Sequence, residues 1–230
     1  MTADAERPIL FSGPMVRALL AGTKTQTRRV VKPQPPGLWM KPETAVITDH
    51  HGRWAFSRIA PNGMAVAWPR GTESIKCPYG VPGDTLWVRE TWAIWHGGAF
   101  YRADEDGKWP GSFGDEPKWK PSIHMPRWAS RITLRVTDVR VQRVRAITET
   151  DAKAEGLSAL TKDGGRLWKY GVPDRDKLPG NDDDGWHWRE WDADPRVAFR
   201  KLWDSINDAR GYGWDVDPWV WALTFERVTP

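Results

Sequence analysis

The sequence predicts a mixed α+β fold: a compact β-barrel with short flanking helices and long loop insertions. Three observations predict it. Several short segments alternate apolar and polar residues with the period of a strand. Helix start signals are few, and no strand is followed by the long amphipathic helix that a parallel α/β sheet needs. Between these segments lie stretches punctuated by proline and glycine, with weak periodicity.

Taken in order, Ser12-Gly13-Pro14 opens a first helix whose apolar stripe is Met15, Val16, Leu19 and Leu20, and Gly22 stands where it stops. Thr23 to Val31 reads as a strand or extended turn. Residues 33–75 look like an insertion rather than a core element. Pro82-Gly83-Asp84 makes a turn before an alternating strand from Thr85 to Trp92, and Ala99 to Ala103 reads as a short second strand. Arg131 to Arg145 alternates over a long stretch and is expected to bend near Thr137-Asp138. Thr148 and Asp151 form a capping-box-like start for a short helix ending at Gly156. Residues 160–193 are acidic and poor in apolar residues, a long excursion. Asp194-Pro195 then starts a helix that buries Phe199, Leu202, Trp203 and Ile206. Pro218 to Val228, with Trp219, Trp221, Leu223 and Phe225 on one side, is a closing strand.

Composition narrows the chemistry. The 230 residues are 40% hydrophobic and 28% charged, ordinary globular values. No apolar run is long enough for a membrane helix, and the first ten residues carry acids where a secretory signal has a basic and then an apolar stretch. The expectation is a cytoplasmic protein without a membrane partner. A single cysteine, Cys77, and five scattered histidines argue against an internal disulfide or a zinc site, so no metal and no cofactor is expected. Phosphate-binding glycine motifs are absent too. Net charge is only +4, but it is unevenly spread. Lys118 to Arg145 holds eight cations against one acid, which fits either a polyanion footprint or a solvated strand face. Asp182-Asp183-Asp184 lacks the alternating spacing of a calcium loop and reads as a solvated acidic loop. The 17 tryptophans suit either base stacking or core filling.

Gly22-Thr23-Lys24-Thr25-Gln26-Thr27-Arg28-Arg29 crowds cations and hydroxyls just after a helix end. A lysine walled by apolar groups there loses its proton more easily and becomes a usable base, with a nearby threonine as its nucleophile. The alternative is a plain strand with surface charges.

Gly22-x-Lys24-x-x-Thr27-x-Arg29 resembles the G-x-K-x-x-[E/T]-x-R signature of the ASCH domain family, whose fold is a PUA-like β-barrel. Pro82-Gly83-Asp84-Thr85-Leu86, the stretch from Ile147 to Gly156 with Glu155 near its end, and Val220 to Phe225 are similar to later parts of that family, in the same order. The layout is similar to phage- and prophage-encoded members. The resemblance implies one domain over 1–230, with insertions at 33–75, 104–127 and 158–193. Threonine at position 27 is similar to the branch that removes the acetyl group from N4-acetylcytidine. That similarity implies Lys24 as general base, Thr27 as nucleophile and Glu155 as proton shuttle or orienting group. The substrate implied is a modified nucleoside. A non-catalytic module binding RNA or another single-stranded nucleic acid, or a ribonuclease, is the alternative within the same fold.

Contacts to such a substrate are expected from Arg28 and Arg29, whose forks match phosphate, and from the stacking faces of Trp92 and Trp128. Arg89, Glu90, His124 and Arg127 complete the candidates. Glu90 either lines the pocket or pairs across strands, and His124 either touches substrate or is a loop histidine.

Overall fold

The computed structural model describes residues 6–34, 44–48, 53–59, 65–66, 75–95, 97–104, 117–180 and 185–228. Strand β1 (Glu6–Leu10) leads into helix α1 (Gly13–Leu20) and strand β2 (Gln26–Val30). Next come β3 (Thr44–Thr48), β4 (Arg53–Ile59), β5 (Ala65–Val66), β6 (Ile75–Lys76), β7 (Thr85–Arg89), β8 (Trp92–Trp95) and β9 (Gly98–Tyr101). The chain continues through β10 (Thr133–Arg143), α2 (Glu149–Ala154), β11 (Ser158–Thr161), β12 (Trp168–Gly171), α3 (Pro195–Asn207) and β13 (Trp219–Val228). The fold class is therefore mixed α+β, with several sheets and few helices.

The main sheet runs β1-β7-β10-β13-β2. Its first pair is parallel and the others are antiparallel. The core joins Ile9, Leu86, Val88, Leu134, Val136, Val139, Leu223 and Phe225 of this sheet, all buried, with Val16 and Leu19 of α1 and Phe199 and Trp203 of α3. Register between β10 and β13 slips between Val136 and Asp138, where the sequence predicts the bend. The expected closed barrel is not seen among the described residues: the edge strands β1 and β2 do not pair. Helix α1 connects them instead, and Arg29 donates from Nη2 to the Leu10 carbonyl at 2.5 Å.

Several sequence expectations move, and the strand expected over Thr85 to Trp92 ends at Arg89, with Trp92 opening β8. The strand expected from Thr23 begins only at Gln26, because the backbone N–H groups of Thr23 and Lys24 both go to the Ala18 carbonyl, at 3.0 and 3.1 Å. With Gly22 at φ +74° donating to Leu19, α1 ends in a Schellman motif. In α3, Phe199 and Trp203 are buried as expected but Ile206 is 45% exposed, and Asn207 lies inside instead.

The described residues of 33–76 hold a separate antiparallel sheet, β3-β4-β5 with β6 also on β4, and contribute no strand to the main one. Most of the acidic excursion is described. Its β11–β12 hairpin leads back to the core at Val172, and Trp191 is buried against Gly171. Asp182-Asp183-Asp184 lies outside the described residues. No described helix is long and apolar enough to cross a membrane.

Candidate functional site

The Schellman turn at Gly22 releases the chain so that Lys24 points back beneath α1. There it forms an isolated antiparallel bridge with Glu155, beside a bond from the Thr25 N–H to the Ala154 carbonyl at 2.9 Å. Glu155 caps α2 at its C-terminal end, and Thr148 caps the other end by accepting from the Asp151 N–H at 3.1 Å. Asp151 and Glu155 are four apart, so one helix face presents both carboxylates to β2.

Four charges meet there, nearly out of water. Lys24 Nζ donates to the Glu155 carbonyl at 2.6 Å and to Glu155 Oε2 at 3.1 Å. Arg28 donates from Nη1 to Glu155 Oε1 and from Nη2 to Asp151 Oδ2, both at 2.9 Å. Gln26 Nε2 holds Asp151 Oδ1 at 3.0 Å, and Arg140 of β10 approaches Asp151 at 3.5 Å. The Arg28 guanidinium lies over the Phe199 ring of α3, 5.8 Å from its centroid. Burial pushes the Lys24 ammonium below its ordinary range. Glu155 opposes that shift, and the nearby Arg29 and Arg28 reinforce it.

The other side of this lysine is aromatic. Its Nζ lies 5.4 Å from the Phe11 ring centroid, and the Arg29 guanidinium lies 5.1 Å from the same ring. Phe11 packs edge-on against Phe225 of β13 at 6.3 Å. Thr27 sits opposite Leu223 on β13, buried, and its hydroxyl makes no hydrogen bond among the described residues. Lys24 and Thr27 are not hydrogen-bonded to each other either: both bonds of the amine go to Glu155.

A further buried acid organises the end of β7. Glu90, 1% exposed, receives a bidentate fork from Arg131, at 2.9 Å from Nε and 3.0 Å from Nη2. Arg131 also pairs with Asp104 and lies over the Tyr101 ring, 3.9 Å from its centroid. Burial holds the Glu90 carboxyl above its ordinary value, against the pull of Arg131. Phe11 links the two clusters, since its N–H donates to the Arg89 carbonyl at 3.1 Å.

The expected catalytic residues Lys24 and Glu155 are thus in direct contact, while Thr27 is buried on β2 opposite Leu223 of β13. The expected substrate contacts divide. Arg28 is not free to grip phosphate: its side chain is fully buried between two carboxylates. Glu90 is paired with Arg131. Arg89 donates from Nε to the Met125 carbonyl at 3.0 Å, and Arg127 forks onto Glu6 at the surface. Trp92 is core to a small cluster with Met125 and Ala129. His124 is exposed on a 3-10 turn, and Trp128, 65% exposed, meets Trp92 edge-on at 5.7 Å.

The basic stretch 118–145 is largely spent within the molecule. Beyond Arg131 and Arg127, Arg140 pairs with Asp138 at 3.1 Å, Arg143 donates to the Asp217 carbonyl at 2.8 Å, and Lys120 covers Trp92. Sequence reasoning missed Phe11 as the aromatic wall and read Asp151 only as a capping residue. The spacing of Asp151 and Glu155 was the available signal for the second role. Comparison with family models, with curated proteins and with solved structures found no match for this chain.

Proposed function

We propose that this chain is an amidohydrolase of ASCH type, on a PUA-like scaffold, acting on an N4-acylated cytidine-like nucleoside or base. The observation that carries the reading is the buried Lys24–Glu155 pair, with Thr27 also buried three residues further along the chain from Lys24. A neutral amine has two N–H groups and one lone pair. In Lys24 both N–H groups are satisfied by Glu155, through its backbone carbonyl and its carboxylate, which leaves the lone pair free to accept a proton.

In the proposed reaction Thr27 Oγ1 attacks the acyl carbonyl carbon as Lys24 takes its proton. Collapse of the tetrahedral intermediate breaks the C–N bond. Lys24 returns the proton to the leaving nitrogen, and the acyl group stays on Thr27 as an ester. Water then hydrolyses that ester, with Lys24 again the base, and restores the threonine. Of the two roles left open for Glu155, orienting the base is the better supported, because its carboxylate oxygens are taken by Lys24 and Arg28.

The test is a chromatographic assay of purified protein with N4-acetylcytidine. Wild type should release cytidine and acetate, and Lys24→Ala and Thr27→Ala should each lower kcat at least about a hundredfold. Undiminished turnover in Thr27→Ala would remove the nucleophile from the mechanism. Absence of turnover in wild type would shift the reading to nucleic-acid recognition, for which the exposed indole of Trp128 beside Trp92 is the supporting feature.

A further inference from the structure

Arg28 is the least expected member of the buried cluster. A guanidinium with no exposed side-chain surface costs several kcal/mol in lost hydration, about what a close buried pair regains. The molecule nevertheless surrounds it with Glu155, Asp151, Gln26 and the ring of Phe199. Asp151 is in turn fixed by Gln26 and approached by Arg140, so the anchor of Arg28 is itself anchored from two strands. The fork therefore reaches Glu155 from a fixed direction and occupies Oε1, leaving Oε2 for the lysine.

We propose that Arg28, held by Asp151, is a positioning residue that fixes the Glu155 carboxylate against the Lys24 amine while withholding part of its charge, so that Lys24 can serve as a base. The inference rests on the reading of Lys24 as the base of the proposed reaction. The physical argument is a balance of charges. Around Lys24 stand Glu155 and Asp151 of α2, Arg28 and Arg29 of β2, and Arg140 of β10 beyond Asp151, while Phe11 after β1 and Ala18 of α1 bring no charge. Arg140 is itself paired with Asp138 at 3.1 Å, so the near groups are two guanidiniums, Arg28 and Arg29, against two carboxylates, and a protonated Lys24 would leave the cluster with an excess of positive charge. Without Arg28, Glu155 would face Lys24 alone, and the full carboxylate charge would hold the ammonium form.

The role is separable from packing because it predicts where Lys24 titrates. In full-length protein labelled with 13C and 15N at lysine, the Lys24 side-chain signal is identified by its loss in Lys24→Met and followed against pH. Arg28→Met should raise the Lys24 midpoint by about one pH unit or more, a tenfold shift in the protonation equilibrium. Arg28→Lys restores the charge and should bring the midpoint most of the way back. Should Arg28→Met fail to fold, Arg28→Met/Asp151→Asn also removes the carboxylate left without its partner, and the same rise is expected. A midpoint that is unchanged or lowered in the folded variants would overturn the proposal. The readout needs no turnover, so it decides the role of Arg28 even if the hydrolase reading fails. If turnover is present, the acid limb of the kcat/KM profile should move upward with the midpoint in Arg28→Met.

Discussion

Lys24, Arg28, Asp151 and Glu155 are all buried, and each alone would be an expensive residue to take out of water. They are tolerable because the two cations and two anions form one connected set with hydrogen-bond distances of 2.6 to 3.1 Å. The lysine is the member that escapes its charge most readily, which gives stability a definite pH dependence. Its lowered value in the fold means that the native state holds fewer protons than the unfolded chain over the interval up to 10.5, the ordinary value for lysine. The contribution is complete above 10.5 and is lost as the pH falls through the value in the fold. Urea unfolding followed downward from that pH should show stability declining in wild type. In Lys24→Met this part of the slope should vanish, and an identical slope in both proteins would refute the assignment.

At the scale of elements, the decisive junction is where the end of α1 meets the end of α2. Gly156 has φ +98°, a conformation open to glycine, and a Cβ placed there would lie 3.0 Å from Ala18 Cβ and 3.1 Å from Lys24 Cβ. Gly156→Ala therefore meets both backbone strain and a crowded neighbour. It should cost about 1–3 kcal/mol in thermal or urea unfolding and displace Lys24 from Glu155. A fully stable variant with wild-type turnover would show that the junction is looser than these distances indicate. The same element logic explains α3. Asp194 accepts the Arg196 N–H at 2.7 Å and starts the helix where the sequence predicts, yet its far end turns Ile206 outward. A helical stripe specifies a face, and the packed neighbours decide how far along that face burial extends.

Among the described residues, Trp87, Trp92, Trp191, Trp203, Trp214, Trp219 and Trp221 are buried and act as mortar across the whole molecule. Trp191 is 1% exposed and donates from Nε1 to the Trp186 carbonyl at 3.1 Å, while its ring presses on Gly171 so closely that a Cβ there would fall 2.5 Å from it. Trp188 lies beside it at 5.8 Å, with Lys162 and Lys169 near its ring. Through Val172, with Tyr170 and Trp186 packed against the same cluster, the described part of the excursion 158–193 is tied into the main core. Trp191→Ala should lower the unfolding free energy by about 3–5 kcal/mol. The loss should appear as a shift of one cooperative urea transition. A separate early transition with the main one unmoved would mean that the excursion folds as its own unit.

By itself the amino-acid sequence determined most of what local chemistry controls. Gly22, Thr148 and Asp194-Pro195 marked helix ends, the alternation of Arg131 to Arg145 marked β10, and the bend near Thr137-Asp138 appears as the register slip. These signals are legible because caps, turns and strand faces depend on neighbours within a few residues. The site was legible in its residues and only partly in its roles. Lys24 and Glu155 are 131 positions apart, and only the tertiary structure brings their side chains to hydrogen-bond distance. It also reassigned the cations. Arg28, Arg127 and Arg131 look alike in sequence as candidates for a polyanion, but the fold sets carboxylates of α2, β1 and the end of β7 against them. The physical reason is that an arginine's role is fixed by which opposite charge lies within reach of its fork, and long-range packing sets that distance.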